Sequence, residues 1–170
     1  HTYRFELSEE ELHSKPLFRI GKVFAQVHID TFSGFVSSVR FLDAETLIEH
    51  RPYELTYTGE LPEERELTAE QSKEVDDGNA RQIFDITNVI RGRFELGKLT
   101  WDDAAAEVAL GHSMDMYENE YFSHVSPTEG DLGDRLKEGK VFYTTAGENI
   151  AAKYVDGVAA FEGWLNSQGH

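Results

Sequence analysis

Asn79-Ala80-Arg81-Gln82-Ile83-Phe84-Asp85-Ile86-Thr87-Asn88-Val89-Ile90-Arg91-Gly92 is where the pattern of this chain changes. Ile86, Val89 and Ile90 follow Ile83 at helical spacing, so the stretch predicts a helix from residue 80 with one apolar stripe, ending between Gly92 and Gly97. Immediately upstream, Glu60 to Asp77 holds eight carboxylates, two basic groups and hardly any large apolar side chain in 18 residues. Such a run cannot be buried without partners, and only Arg65 and Lys73 lie within it, so it reads as an acidic connector, part of it a solvated helix. The chain therefore divides into residues 1–62, a connector over 63–79 and residues 80–170.

Upstream of the connector the period is two. Val23, Ala25, Val27 and Ile29 alternate with Lys22, Phe24, Gln26 and His28, the signature of a strand. Thr31-Phe32-Ser33-Gly34 supplies turn residues before a second β-rich run, Phe35 to Leu42, so the pair predicts an antiparallel hairpin. A short helix capped by Asp43 and a third run, Tyr53 to Tyr57, complete a small β-rich module. Downstream, Thr100 or Asp102 caps a helix carrying Ala105, Val108, Ala109, His112 and Met116 on one side. A short helix over Asp131–Lys137, a short strand over Val141–Tyr143 and a final helix over Asp156–Leu165 follow.

Charge and composition exclude several functions. With 32 acidic and 16 basic side chains in 170 residues the net charge is -16, spread over both halves, so a nucleic acid would meet repulsion. No run approaches the roughly 18 apolar residues of a membrane-spanning helix. The chain opens on His1 without a leader, so any targeting segment is expected to lie upstream or to have been removed. The absence of cysteine rules out disulfides, thiolate zinc sites and a Cys nucleophile. Glycine loops that cradle phosphate and a GxSxG nucleophile elbow are missing from the sequence.

The seven histidines are the main candidates for chemistry. His1, His13, His28 and His50 read as terminal, surface or interstrand residues, and His112 as a core or domain-edge residue of its helix. His124 lies on a loop after Tyr121 and Phe122, and loops carry side chains to clefts. His124, Glu148 and His170 are 24 and 22 residues apart, so no local metal motif joins them and only the fold can bring them together.

Residues from about Ile83 onward resemble a bacterial CAP domain, the superfamily of cysteine-rich secretory proteins, antigen 5 and pathogenesis-related proteins. The matching words are Asn88 and Arg91, Leu99-Thr100-Trp101-Asp102, Ser113-Met114-Asp115-Met116, and Tyr121-Phe122-Ser123-His124 with Ser126-Pro127. They continue as Ala146-Gly147-Glu148-Asn149-Ile150-Ala151 and Trp164-Leu165-Asn166-Ser167-Gln168-Gly169-His170. Residues 1–62 resemble the N-terminal module that precedes CAP domains in exported firmicute proteins, through Pro52-Tyr53-Glu54-Leu55 and Tyr57-Thr58-Gly59.

The resemblance implies an α/β fold, an α-β-α sandwich whose C-terminal strands are missing here, preceded by a small antiparallel β-rich module. It implies a cleft in which His124, Glu148 and His170 hold zinc or another divalent cation. The fourth acidic position of some relatives is Ser167 here, with Glu162 as a weak substitute. It places the protein outside the cell or on its surface, as a module binding a small ligand or a surface protein. Two alternatives stay open: a metal-dependent hydrolase working through His124, Glu148 and His170, and a purely structural polar cluster. Because helices with apolar stripes need a covering layer, a longer parent chain, a retained C-terminal fragment or a dimer is expected.

Overall fold

The computed structural model describes residues 2–63 and 66–170; Glu64 and Arg65 of the acidic run, and His1, lie outside the described residues. Alternation in the first 58 residues becomes two small antiparallel sheets. Strands β1 (Thr2–Glu6) and β5 (Glu54–Thr58) pair from Thr2 opposite Thr58 to Glu6 opposite Glu54. Strands β2 (Leu17–Ile20), β3 (Val23–Ile29) and β4 (Val36–Leu42) form the second sheet in that order, with a register shift at His28 and Ile29. Helix α1 (Glu9–Ser14) starts at a Ser8 capping box, and α2 (Ala44–His50) starts at Asp43, whose side chain accepts from the Thr46 amide.

The pleat places Phe24, Gln26 and His28 of β3 on one face, where Phe24 meets the ring of Phe5. Gln26 and His28 are almost fully buried there beside Leu47, Ile48 and Tyr53. Hydrogen bonds link them in a chain: Tyr53 Oη donates to the Lys15 carbonyl at 2.7 Å, Gln26 Nε2 to Tyr53 Oη at 2.7 Å, and His28 Nε2 lies 2.9 Å from Gln26 Oε1, while His28 Nδ1 is buried without a hydrogen-bond partner among the described residues.

Helix α3 spans Ala69–Arg93, so it starts eleven residues before the expected position, at a Thr68–Gln71 capping box. Residues 69–78 are exposed throughout, and Lys73 bridges Asp77 at 2.8 Å one turn on. Helix propensity and solvation suffice to extend the helix through the acidic run. Helix α4 (Asp103–Glu118) is capped by Asp102 rather than Thr100, and α5 (Leu132–Glu138) and α6 (Gly157–Leu165) by Asp131 and Asp156. The loop from α3 to α4 is tied back by Asn88, which bonds both polar backbone atoms of Leu99, and by Arg91 Nε on the Gly97 carbonyl at 2.8 Å. Arg81 stacks 3.7 Å over the Trp101 ring.

Val141–Tyr143 is not a strand. The Val141 amide turns back to the Leu136 carbonyl, Phe142 is 97% exposed, and no neighbouring strand pairs with it among the described residues. All the strands of the described residues lie within residues 2–58, so residues 80–170 contribute helices and irregular segments. The fold is mixed α/β. The apolar stripe of α3 is only half covered: Ile83, Ile86 and Ile90 are intermediate and Val89 exposed.

Candidate functional site

Asp115 sits near the end of α4 and is buried, but three donors meet it: Tyr121 Oη, Ser126 Oγ at 2.7 Å and Asn119 Nδ2 at 2.7 Å. The hydrogen bonds from Tyr121 and Ser126 hold its carboxyl below the ordinary aspartate value despite burial. Ser126 Oγ accepts in turn from the amides of Thr128 and Glu129, so the chain from Asn119 to Gly130 is folded back on α4. One turn earlier on α4, His112 is 2% exposed and its Nε2 lies 3.0 Å from the Ser123 carbonyl. That contact requires a proton on Nε2. The loop so anchored presents His124, whose side chain is 57% exposed.

Arg135 on α5 locks this loop to the segment carrying Glu148. Its guanidinium is almost fully buried, with Nη1 donating to the carbonyls of His124 and Gly130 at 3.1 Å each and Nη2 to Glu148 Oε2 at 2.6 Å. The other oxygen of Glu148 lies 2.8 Å from His124 Nδ1 and 4.0 Å from His112 Nε2. Burial raises the Glu148 carboxyl, but the hydrogen bonds from His124 and Arg135, with the Arg135 charge, outweigh it and hold the group below its usual value. Glu148 is therefore an anion that fixes Nδ1 of His124 and leaves Nε2 toward solvent.

The structure thus brings together His124 and Glu148, two of the three residues expected to converge. His170 stands apart. Its amide donates to the Ser167 carbonyl in the turn after α6, and no hydrogen bond or ion pair joins it to His124 or Glu148 among the described residues. A three-ligand metal centre does not fit this arrangement: Oε1 of Glu148 is spent on His124 and Oε2 on a guanidinium, and no group of three His, Asp or Glu among the described residues is arranged to hold an ion. Glu162 does not substitute in the cleft, because it turns into the N-terminal sheet, where Ser37 Oγ donates to it.

Sequence reasoning missed Arg135 and gave His112 no role at the site. Arg135 reads as one solvated cation among Asp131, Asp134 and Glu138, and nothing in the spacing marks it. His112 had a faint signal in its position on the apolar side of α4.

Comparison with known proteins bears on the same segments. The family model of the cysteine-rich secretory protein family, CAP, matches residues 84–170, more than half of the chain. The chain belongs to the CAP family. Residues 1–53 match the CAP-associated N-terminal model. Despite the family's descriptive name, this member contains no cysteine.

Among relatives, the Bacillus subtilis (strain 168) "Uncharacterized membrane protein YlbC" is 52% identical over 169 residues, 99% of this chain and 49% of that protein. The "Uncharacterized protein YkwD" of the same organism is 36% identical over 90 residues, 53% of this chain and 35% of that protein. Among solved structures, an extracellular protein containing a SCP domain from Bacillus anthracis superposes with a TM-score of 0.84 at 51% identity, covering 98% of this chain and 54% of that one. A cysteine-rich secretory protein from Staphylococcus aureus superposes with a TM-score of 0.65 at 28% identity, covering 97% and 53%. This chain spans about half the length of these relatives or less. No helix of the described residues is long and apolar enough to cross a membrane.

Proposed function

We propose that this CAP-family chain is a binding module of the cell exterior whose cleft, centred on His124, takes a small polar ligand. The observation that carries this reading is the orientation of an exposed imidazole by a buried pair: Arg135 holds Glu148, Glu148 holds Nδ1 of His124, and Nε2 is left free. A surface histidine without a task has no need of a guanidinium that is only 3% exposed behind its carboxylate partner. The exterior location is supported by the Bacillus anthracis protein, described as extracellular. The cation expected from the family resemblance belongs to this proposal only as one candidate ligand of Nε2, since Glu148 is engaged. The hydrolase reading has no support in the donor set.

The test is a ¹H–¹⁵N NMR titration of the chain with zinc chloride and with a set of small carboxylates, phosphates and sugars, repeated on His124→Ala. Binding shows as shifts confined to His124 and residues 146–151 that vanish in the variant. If none of these probes perturbs the cleft, and His124→Ala only lowers the melting temperature, the polar cluster is structural and the binding proposal fails.

A further inference from the structure

Glu148 lies in a stretch, Thr144–Asp156, that has no regular secondary structure. Among the described residues its side chain is held by His124 and Arg135, and the backbone beyond it by Trp164 Nε1 on the Ile150 carbonyl at 3.0 Å and, where the stretch enters α6, by the Ala160 amide on the Asp156 carbonyl at 3.1 Å. Tyr154 packs over Gly163, where a Cβ would fall 2.2 Å from its hydroxyl. These anchors of the backbone are therefore on α6. The placement of the Glu148 segment follows the placement of that helix.

Helix α6 crosses α3, where its Gly157 amide donates to Asn79 Oδ1 at 3.0 Å, and it is held at three further points by the N-terminal module. At its start, the capping carboxylate of Asp156 receives Arg40 from β4, with His50 Nδ1 4.0 Å away. In its middle, Glu162 is 5% exposed and accepts from Ser37 Oγ, while His28 Nδ1 lies 4.0 Å from the same carboxylate oxygen. Past its end, Asn166 Oδ1 accepts from Thr31 Oγ1 at 3.4 Å. Burial pushes the Glu162 carboxyl up, against the Ser37 hydrogen bond, and burial with the charges of Arg40 and Lys15 brings the His28 imidazole down to about 4. Both shifts disfavour charge at the contact, the direction in which burial acts on facing ionisable groups. Surface ion pairs between loosely tethered modules would be solvated instead.

We propose that the N-terminal module is a positioning element for the cleft: by holding α6 at Asp156, Glu162 and Asn166, it sets, through Trp164 and Ile150, where Glu148 stands against His124. Docking of the module and the placement of the Glu148 segment are then two readouts of one equilibrium. The inference rests on the geometry of the cleft and not on any ligand, so its test contains none.

In the intact ¹⁵N-labelled chain, the amide shifts of residues 146–151 are compared between wild type, a Ser37→Ala/Arg40→Ala variant that loosens the grip, and Trp164→Phe, which removes the bond to Ile150 together with part of the ring. Loosening shows independently as at least about tenfold faster amide exchange in β3 and β4. Both variants are expected to displace the amides of residues 146–151, and the combined variant by less than the sum of the two. A module measurably loosened while those amides keep their wild-type shifts overturns the proposal. Should the double variant fail to fold, Thr31→Val/Arg40→Gln keeps the Ser37–Glu162 contact and is judged by the same two outcomes.

Discussion

Replacing Gly157 by alanine puts one methyl group where α6 crosses α3. A Cβ at this position would lie 2.5 Å from the Asn79 carbonyl oxygen and 3.1 and 3.2 Å from the carbon atoms of the same backbone. Nothing there can swing aside, so the helices must part by about 0.9 Å to reach the 3.4 Å of ordinary contact. Parting them also stretches the hydrogen bond from the Gly157 amide to Asn79 Oδ1, now 3.0 Å. Overpacking costs about 1–3 kcal/mol and the weakened bond about 1, against a few tenths regained from alanine's better helix propensity, giving a net loss of about 2–3 kcal/mol. At about 2–4 °C per kcal/mol for a chain of this size, Tm falls by about 5–10 °C in calorimetry.

Two controls separate this cause from a general dislike of the substitution. Gly163→Ala meets the phenol of Tyr154, a half-exposed side chain that can rotate away, and costs about 1 kcal/mol or less. Gly111→Ala in the interior of α4 meets nothing and stabilises by about 0.5–1 kcal/mol. If Gly157→Ala melts within about 1 °C of wild type, or if all three variants shift alike, the crossing is not packed as described.

His28 predicts an acid weakness of the fold. Its imidazole titrates at about 4 when folded against 6.5 when free, so the unfolded chain binds the proton first and stability falls with pH from about 6.5 to 4, by up to about 3 kcal/mol. Glu162, raised by burial, opposes this over the lower part of that window. His28→Gln should therefore flatten the fall of Tm between about pH 7 and 5, and an unchanged slope would count against the assignment. Arg135→Gln leaves Glu148 with His124 as its remaining close partner and should cost about 2–4 kcal/mol by urea unfolding, whereas a loss below about 0.5 would mean that the guanidinium is not locking the loop. We further propose that residues 1–62 and 80–170 are two units docked on one another at α6 and joined by the acidic run, the exposed first turns of α3 being part of that link. A protease of broad specificity should cut first between Gly59 and Thr68, and a first cut inside Val108–Met116 would refute that division.

Local chemistry made much of the fold legible. The hairpin of β3 and β4, the cap at Asp43, the choice of Thr100 or Asp102 as cap of α4, and the helices of residues 44–50, 103–118 and 157–165 follow from alternation, stripe and cap alone. What escaped reading was non-local. Strand β1 exists because Thr2–Glu6 finds Glu54–Thr58, and no pattern in either segment announces the other. Val141–Tyr143 errs in the opposite sense: its residues have strand propensity, but propensity without a partner strand leaves it irregular. The early start of α3 was legible as solvated helix but could not be weighed against a disordered link, because nothing buries that stretch.

The same division runs through the site, and two glutamates show it. Neither Glu148 nor Glu162 has a sequence neighbour that reveals its role; one is known only by a family word, the other stands two residues before Trp164. In the fold, Glu148 meets a guanidinium and an imidazole, which overcome burial and keep it charged. Glu162 meets a hydroxyl and a deprotonated ring nitrogen, which do not, and burial drives it toward the neutral acid. A charged carboxylate can order an exposed imidazole, while one pushed toward its neutral form is less costly to bury between modules. The assignment of the first to the cleft and the second to the contact between modules thus follows from Arg135 and Ser37, partners that lie 13 and 125 residues away along the chain.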